Sequence, residues 1–193
     1  MDFKNNNPSD IFSHQWNQLE LAVKDSKHNY HLFALSTIDI NSPDIRTVVL
    51  RNVNKNEYSI SFHTDNRSPK FKQITKNPKV SILFYDIQAR TQIRMTGTAS
   101  ICGDENILRS LWDKLSKESK KCYMGEIAPS HPLNEETIIN KLERNDPDQG
   151  YINFTRVNIS VLKMEVLLLH HLGHRRIEFN LDNNENDHRW LAS

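Results

Sequence analysis

The chain has 193 residues, of which 37% are hydrophobic and 25% charged, and its formal net charge is +1. This composition is typical of one globular domain, and the near-neutral charge argues against general nucleic-acid or membrane binding, which require a basic excess. Two cysteines are too few for a disulfide framework and no apolar run approaches the length of a membrane span, so we expect a single cytoplasmic domain over residues 1–193.

The N-terminal part of the sequence predicts a helix and then strands. Residues 1–8 are polar and are expected to be disordered. The helix that follows would be capped by Ser9 or Asp10. Its apolar face is marked by residues at helical spacing, namely Phe12, Trp16, Leu19 and Val23.

Strand-like segments with clear turn signals occupy residues 31–64. Residues 31–40 predict a strand with Phe33 and Leu35 on one face. Residues 45–53 and 58–64 predict a hairpin, because the polar residues 54–57 between them favour a turn.

Ser68 and Pro69 predict the start of a short helix, since serine suits an N-cap and proline the first helical position. The helix is expected from Pro69 to about Lys76, with Phe71 and Ile74 inward. Asn77 and the proline after it would end the helix.

The second half of the sequence predicts strands, two helices and then strands again. Apolar alternation at residues 80–84 and 93–95 indicates two strands, and residues 104–121 and 134–144 indicate helices. From residue 151 the strand pattern returns, with Leu162, Met164, Val166 and Leu168 on one face. Residues 174–181 are expected to pair with residues 188–192. The whole pattern favours a mostly antiparallel α+β domain, and a barrel because long open edges are hazardous.

Several side chains at strand ends have the chemistry of an anion site. Arg46 and Arg51 would point to opposite faces of one strand, so one of them could meet a phosphate. Thr64, Ser68 and Lys70 lie where a strand ends and a helix begins, where free N–H groups favour an anion. Each signal also has a plainer interpretation: an edge-strand charge for the arginines, a simple helix cap for the serine and a solvated lysine.

Other chemistry-bearing residues give weaker signals. The amide of Gln92 suits the polar edge of a flavin or nucleobase, although a solvent-facing glutamine is the simpler interpretation. His170 and His171 would point to opposite faces of a strand, and neither HExxH nor CxxC occurs in the sequence, so no metal site is expected. His174, Arg175 and Arg176 instead suggest an anion contact or a cationic interface cluster.

Four ordered motifs resemble those of the pyridoxamine 5′-phosphate oxidase-like, FMN-binding split-barrel superfamily. The family patterns are Arg-x-Val-x-Leu-Lys/Arg, then an aromatic residue or histidine followed by Thr-x-x-x-Ser-x-Lys, then Asn-Pro with a later phenylalanine, and Gln-x-x-x-x-Gly. This chain has them at residues 46–51, 63–70, 77–84 and 92–97. The ending at residues 172–179 and the final Trp-Leu-Ala-Ser are also similar, so the resemblance covers residues 10–193.

The resemblance implies a split β-barrel that binds FMN. In that interpretation Arg46, Ser68 and Lys70 hold the FMN phosphate, and Gln92 meets the polar edge of the isoalloxazine. The backbone groups of Thr47, Val48 and Val49 would lie along the flavin. Arg51 would approach the ring system or the substrate, and His63 and Thr64 would make further contacts with the cofactor. The family also implies a homodimer with FMN at the boundary, where Arg175, Arg176 and Trp190 reach the partner's cofactor.

The sequence departs from the family pattern in two of the cofactor motifs and in the region that binds the substrate phosphate. Pro69 stands where the oxidases have arginine, and Arg51 stands where lysine is usual. Leu111 and Leu115 replace the aromatic residue and the arginine that bind the substrate phosphate, while Ser119 is kept. The expected function is therefore an FMN-dependent oxidoreductase with an undefined small substrate and no assigned catalytic residue. The alternatives are a non-catalytic flavin-binding or flavin-sensing dimer and a haem-handling split barrel.

Overall fold

The computed structural model describes residues 7–133, 148–182 and 187–193. In chain order the elements are α1 (Pro8–Lys24), β1 (Leu32–Asp39), β2 (Ser42–Val49), β3 (Asn52–Asn54), β4 (Ser59–Asp65), α2 (Pro69–Lys76), β5 (Lys79–Asp86), β6 (Thr91–Ile101), α3 (Glu105–Asp113), α4 (Lys117–Lys121), a 3₁₀ turn (Tyr151–Asn153), β7 (Phe154–Leu168), β8 (Arg175–Asn180) and β9 (Asp187–Leu191).

The strands form one sheet in which every described ladder is antiparallel. Its order is β2-β1-β5-β6-β7-β4-β3, with β8 and β9 continuing from the second half of β7. One edge of β7 therefore pairs with β6, and the other edge pairs first with β4 and then with β8. The mostly antiparallel α+β split barrel expected from the sequence is confirmed.

The barrel stays open between the two ends of the sheet. The chain passes from β2, at one end, to β3, at the other, through a bend at Leu50 and Arg51. The Leu50 N–H donates to the carbonyl of His31, and the Arg51 N–H donates to the carbonyl of Ser61. Continuous pairing along residues 45–53, as the sequence predicted, is therefore interrupted where the chain changes partners.

The main core fills the inside of the curved sheet. Phe33, Phe62 and Phe84 are at most 2% exposed, and α1 closes over them with Trp16 and Leu19. Burial of such apolar side chains is the main stabilising contribution to the fold. A second cluster lies on the opposite side of β7, where Leu108 and Trp112 of α3 pack against Phe154 of β7.

Local signals located several elements well. The helix Pro69–Lys76 begins and ends as predicted. Ile74 is buried, but Phe71 is only half-buried and Gln73 takes the other inward position. The predicted pairing of the last two segments is confirmed by the β8–β9 ladder.

The start of α1 differs from the sequence interpretation. Asn7, not Ser9 or Asp10, is the N-cap and accepts from the Asp10 N–H. Pro8 is already helical, whereas the expectation for residues 1–6 lies outside the described residues. The predicted helix over residues 134–144 also lies outside them.

Two further expectations were wrong for identifiable physical reasons. The helix predicted over residues 104–121 is divided into α3 and α4, because Ser116 accepts from the Ser119 N–H and caps a new helix. Leu162 is 37% exposed, unlike Met164, because the β6–β7 register shifts beside it, between Thr96 and Gly97. An extra residue in a bulge reverses the inward and outward alternation.

Two kinds of site are absent from the described part of the chain. None of its helices is long and apolar enough to cross a membrane. No group of three or more His, Cys, Asp or Glu side chains within residues 7–133, 148–182 and 187–193 is placed to hold a metal ion.

Candidate cofactor site

Thr64, Ser68 and Lys70 meet where β4 ends and α2 begins, and Arg46 of β2 is near enough for its charge to act on Lys70. We call these four side chains the cradle. Lys70 Nζ donates to Thr64 Oγ1 at 3.3 Å, and Thr64 Oγ1 lies 3.3 Å from Ser68 Oγ. Burial, and then the nearby charge of Arg46, lowers the pKa of Lys70. The ammonium group is thus half-buried beside a second cation, which is a favourable environment for an anion.

Ser68 does more than begin α2. Its side chain makes no cap hydrogen bond to the helix, and its hydroxyl donates to the Asp65 carbonyl at 2.7 Å. The interpretation of Ser68 as a simple side-chain cap is therefore wrong. Its fully buried hydroxyl oxygen faces Thr64, inside the cradle.

Arg46 is fixed by a network of side chains from β1, β2 and α2. Its guanidinium donates to the Thr37 hydroxyl and to Gln73 Oε1, the latter at 3.0 Å, and forms an ion pair with Asp44. Thr37 is fully buried and Gln73 is 6% exposed. Arg46 therefore has a defined position at the inner side of β2.

The loop between β4 and α2, which carries Ser68 of the cradle, is held by contacts of Asn66 and Arg67. Arg67 Nη2 lies 2.7 Å from Asp65 Oδ2, and Arg67 Nη1 donates to the Gly125 carbonyl at 2.8 Å. Asn66 donates from its backbone to the Asn153 carbonyl and from its side chain to the Ile152 carbonyl, both at 2.8 Å. These contacts tie the cradle loop to the segments before β7.

The opposite side of β2 belongs to the outer face of the sheet. Strand register places Thr47, Val49 and Gln92 on this face, while Val48 points inward and is 8% exposed. Arg176 lies opposite Leu167, the β7 partner of Gln92, and so shares the face. An open groove of about 520 Å³ runs beside Gln92, with Ile45 and Leu83 among its lining residues.

His63 and Arg51 occupy a third environment, near the bend between β2 and β3. His63 neighbours Thr64 on β4 and therefore points to the other face, where its ring meets Phe154 edge-on at 4.9 Å. Burial, with Arg51 and then Arg156, lowers the pKa of His63 to about 4. The imidazole is consequently neutral near pH 7, and its buried Nδ1 has no hydrogen-bond partner.

The C-terminal candidates are divided between two faces. The Arg175 guanidinium stacks over the Trp190 ring at 4.4 Å from its centroid, on the face opposite to Arg176. His170 and His171 lie after the end of β7 and their rings are 4.2 Å apart. The expectation that they point to opposite faces was wrong because they belong to a turn.

The structure thus brings together two sets of expected site residues. The cradle gathers Arg46, Thr64, Ser68 and Lys70, and the outer face gathers Thr47, Val49, Gln92 and Arg176. β2 separates the two sets, and as the terminal strand of the described ladder it is paired with β1 alone. A ligand that reaches both sets must pass over the free edge of β2.

Three side chains that hold Arg46 were not identified in the sequence analysis, namely Thr37, Asp44 and Gln73. Asp44 carried a signal, because residues two apart on a strand share a face and Arg46 was already a candidate. The contacts of Gln73 with β1 and β2 join residues far apart in sequence. No local pattern could have shown them.

The sequence matches known proteins mainly in its first half. Residues 13–103 match the family described as pyridoxamine 5′-phosphate oxidase, FMN-binding domain. A pyridoxine/pyridoxamine 5′-phosphate oxidase of Rhodopseudomonas palustris strain HaA2 is 29% identical over 99 residues, which are 51% of this chain and 44% of the relative. The corresponding protein of strain TIE-1 is 32% identical over 95 residues, 49% of this chain and 42% of the relative. The chain therefore spans less than half the length of these curated relatives.

Solved structures are similar along almost the whole chain. A pyridoxamine 5′-phosphate oxidase-related, FMN-binding protein of Nostoc punctiforme superposes with a TM-score of 0.75 at 19% identity, covering 98% of this chain and 99% of that one. PhzG of Burkholderia lata, in complex with tetrahydrophenazine-1-carboxylic acid, gives a TM-score of 0.74 at 17% identity, with coverage of 100% and 95%. At these identities the likeness shows the fold.

The fold and the two residue sets define a split-barrel protein. The family match covers residues 13–103, which include the segment from Arg46 to Gln92, and it identifies the family that this part of the sequence resembles. Over residues 13–103 the chain is similar to the pyridoxamine 5′-phosphate oxidase FMN-binding domain family, and along almost its whole length it has the fold of a solved FMN-binding protein related to that oxidase.

Proposed function

We propose that the protein binds FMN over the free edge of β2 and acts as a cytoplasmic, homodimeric flavin-dependent oxidoreductase on a small substrate. The observation that carries the proposal is the pairing of a cationic cradle on one side of β2 with Gln92 on the other side. A molecule with a phosphate at one end and a polar ring edge at the other matches this arrangement.

The residues present fit FMN chemically. Arg46 and Lys70 supply two cations for the phosphate, and Thr64 supplies a hydroxyl. The Ser68 hydroxyl, which donates to the Asp65 carbonyl in this structure, would have to rotate to donate to the phosphate. Gln92 can donate to and accept from the ring edge. Arg176 Nε is buried on the same face and lies 3.8 Å from Glu165 Oε1, an ion-pair distance too long for a hydrogen bond, so its N–H group is open to an acceptor from a ligand or a partner subunit.

The roles of the protein groups are binding and charge stabilisation. Bound FMN would supply the hydride chemistry of such an enzyme. β2 offers backbone N–H and C=O groups at its free edge for the flavin ring. The guanidinium of Arg176 would favour negative charge on the ring beside Gln92. Arg51 is exposed at the bend beside His63, and we assign it a contact with the ring or a substrate.

A homodimer is supported by the apolar character of the outer face. Ile45 is 65% exposed, Leu32 50% and Leu83 40%, and all three lie on this face. Exposed apolar surface next to a ligand site is typical of a subunit interface. A second copy placed here would cover Gln92 and enclose the flavin, and the mass of the FMN-loaded protein in solution tests this arrangement.

Flavin titration of purified protein tests the central proposal. Binding of FMN should quench its fluorescence, and Arg46→Ala or Lys70→Ala should raise the Kd about tenfold or more, because each removes a charge-assisted contact. Lys72→Ala is the matched control, since Lys72 is an exposed lysine of the same helix. Absence of FMN binding by the unaltered protein rejects the proposal. An equal Kd for all the variants rejects the phosphate assignment.

One observation favours a non-catalytic flavin-binding dimer as the second candidate. Leu111 of α3, and Leu115 just beyond its end, pack against the cluster of Leu108, Trp112 and Phe154, so this region offers no phosphate ligand at these two positions. Turnover of pyridoxamine or pyridoxine 5′-phosphate with oxygen at an enzyme-like rate would reject this alternative. Tight FMN binding without such turnover leaves the substrate to be sought among other small molecules.

A further inference from the structure

Arg46 of the cradle already forms an ion pair with an acidic side chain, that of Asp44. Asp44 and Arg46 lie two residues apart on β2, share a face and form an ion pair. Their side chains are 43% and 18% exposed, respectively. Solvent therefore reaches the pair mainly from the side of Asp44.

Gln73 holds both members of this pair. Its Nε2 donates to Asp44 Oδ2 at 2.9 Å, while its Oε1 accepts from Arg46 at 3.0 Å. The same Oε1 accepts from the hydroxyl of the fully buried Thr37, which fixes the orientation of the amide. The Asp44 carboxylate is consequently held in one place by the fold.

Asp44 is charged at neutral pH. The hydrogen bond from Gln73, and then the charge of Arg46, lowers the pKa of this carboxyl group. Its charge also acts on the Lys70 ammonium group, although less strongly than the charge of Asp65, which is paired with Arg67. Both cations of the cradle therefore lie within the field of a fixed negative charge.

We propose that Asp44 is a built-in counter-anion of the cradle, which pairs with Arg46 in the ligand-free protein and lowers the affinity of the site for phosphate-bearing ligands. An arriving phosphate must share or take over the guanidinium that Asp44 contacts, and it meets a like charge beside it. Where the phosphate belongs to FMN, the inference rests on the proposed function. A flavin without phosphate does not experience this repulsion.

The test compares Asp44→Asn with Asp39→Asn, which removes the same charge from an exposed position on the same hairpin. Asparagine keeps an oxygen that can accept from Gln73. For each protein one measures the Kd of FMN and of riboflavin by fluorescence quenching. The Kd of inorganic phosphate is measured from its effect on the thermal unfolding midpoint.

Asp44→Asn should lower the Kd of FMN and of inorganic phosphate by about tenfold at low salt, with a smaller gain at high salt. Its Kd for riboflavin should change less than about twofold, and Asp39→Asn should change none of the three. Asp44→Ser should give the same direction as Asp44→Asn, which separates the loss of charge from any local distortion.

The opposite results are equally clear. An unchanged or raised phosphate Kd in Asp44→Asn overturns the inference, as does absence of phosphate binding in every protein. Equal tightening of riboflavin, or equal tightening in Asp39→Asn, also overturns it. If FMN binds no protein but inorganic phosphate binds more tightly to Asp44→Asn, the counter-anion is supported and the proposed function fails.

Discussion

Replacement of His63 by glutamine should remove a large part of the acid sensitivity of the fold. The pKa of His63 is about 4 in the folded protein, against 6.5 as its ordinary value, because the ring is buried beside Arg51 and Arg156. As the pH falls, the unfolded chain takes up this proton first. Stability is therefore lost between about pH 6.5 and about pH 4, and it is unaffected by this group at higher pH.

The size of the effect follows from the two pKa values. Each pKa unit corresponds to 1.36 kcal/mol, so the two values imply a loss of about 2 kcal/mol between roughly pH 7.5 and roughly pH 5. For a chain of this length, such a loss is a substantial part of the free energy of unfolding.

The assay is urea unfolding of the flavin-free protein at about pH 7.5 and about pH 5, with circular dichroism as the measure of folded protein. His63→Gln loses the edge contact with Phe154, so its stability is lower at both pH values, but its loss on acidification should be about 2 kcal/mol smaller. His131→Gln, at an exposed loop position, controls for removal of a histidine. If His63→Gln loses as much stability on acidification as the unaltered protein, the reasoning about the buried ring is wrong.

Two further predictions concern the stability of the sheet and of the cradle loop. Gly97→Ala should cost at least about 2 kcal/mol in urea unfolding, because its Cβ would lie 2.2 Å from a backbone carbonyl oxygen of β7. Gly103→Ala, with nothing within 4 Å of the added carbon, should change stability by less than about 0.5 kcal/mol. Arg67→Ala should cost about 3 kcal/mol, because it leaves the carboxylate of Asp65, 6% exposed, without its guanidinium. Arg94→Ala is the control, because it breaks an ion pair whose arginine is 58% exposed, and it should cost less than about 1 kcal/mol. Equal losses of stability in Arg67→Ala and Arg94→Ala would contradict the argument from burial.

Local signals account for most of the elements that the sequence predicted correctly. Ser68 and Pro69 locate the start of α2, and alternation locates β5 and the inner side of β7, because these patterns reflect the geometry of single elements. The division between α3 and α4 escaped prediction, since the apolar spacing continues through Leu115 while Ser116 begins a new helix.

The candidate site was predicted less completely than the fold. Thr64, Ser68 and Lys70 follow from their positions where a strand ends and a helix begins, and hydrogen bonds join them in the structure. Arg46 of β2 acts on Lys70 through its charge. Whether one flavin contacts both the cradle and the outer face remains a prediction. The role of Gln73 depends on contacts with β1 and β2, and such long-range contacts leave no periodic trace in a sequence.

The position of β7 has a consequence for synthesis of the protein on the ribosome. β4, at residues 59–65, can pair with β7 only after residues 154–160 have been synthesised. β6 also pairs with β7 along one edge, so this edge stays unpaired until the same strand has been made. Until then the nascent chain carries strand edges and apolar faces that only later residues can cover. Such high contact order slows folding and exposes the chain to self-association. We therefore expect early chaperone contact during translation, and aggregation of fragments that end before β7.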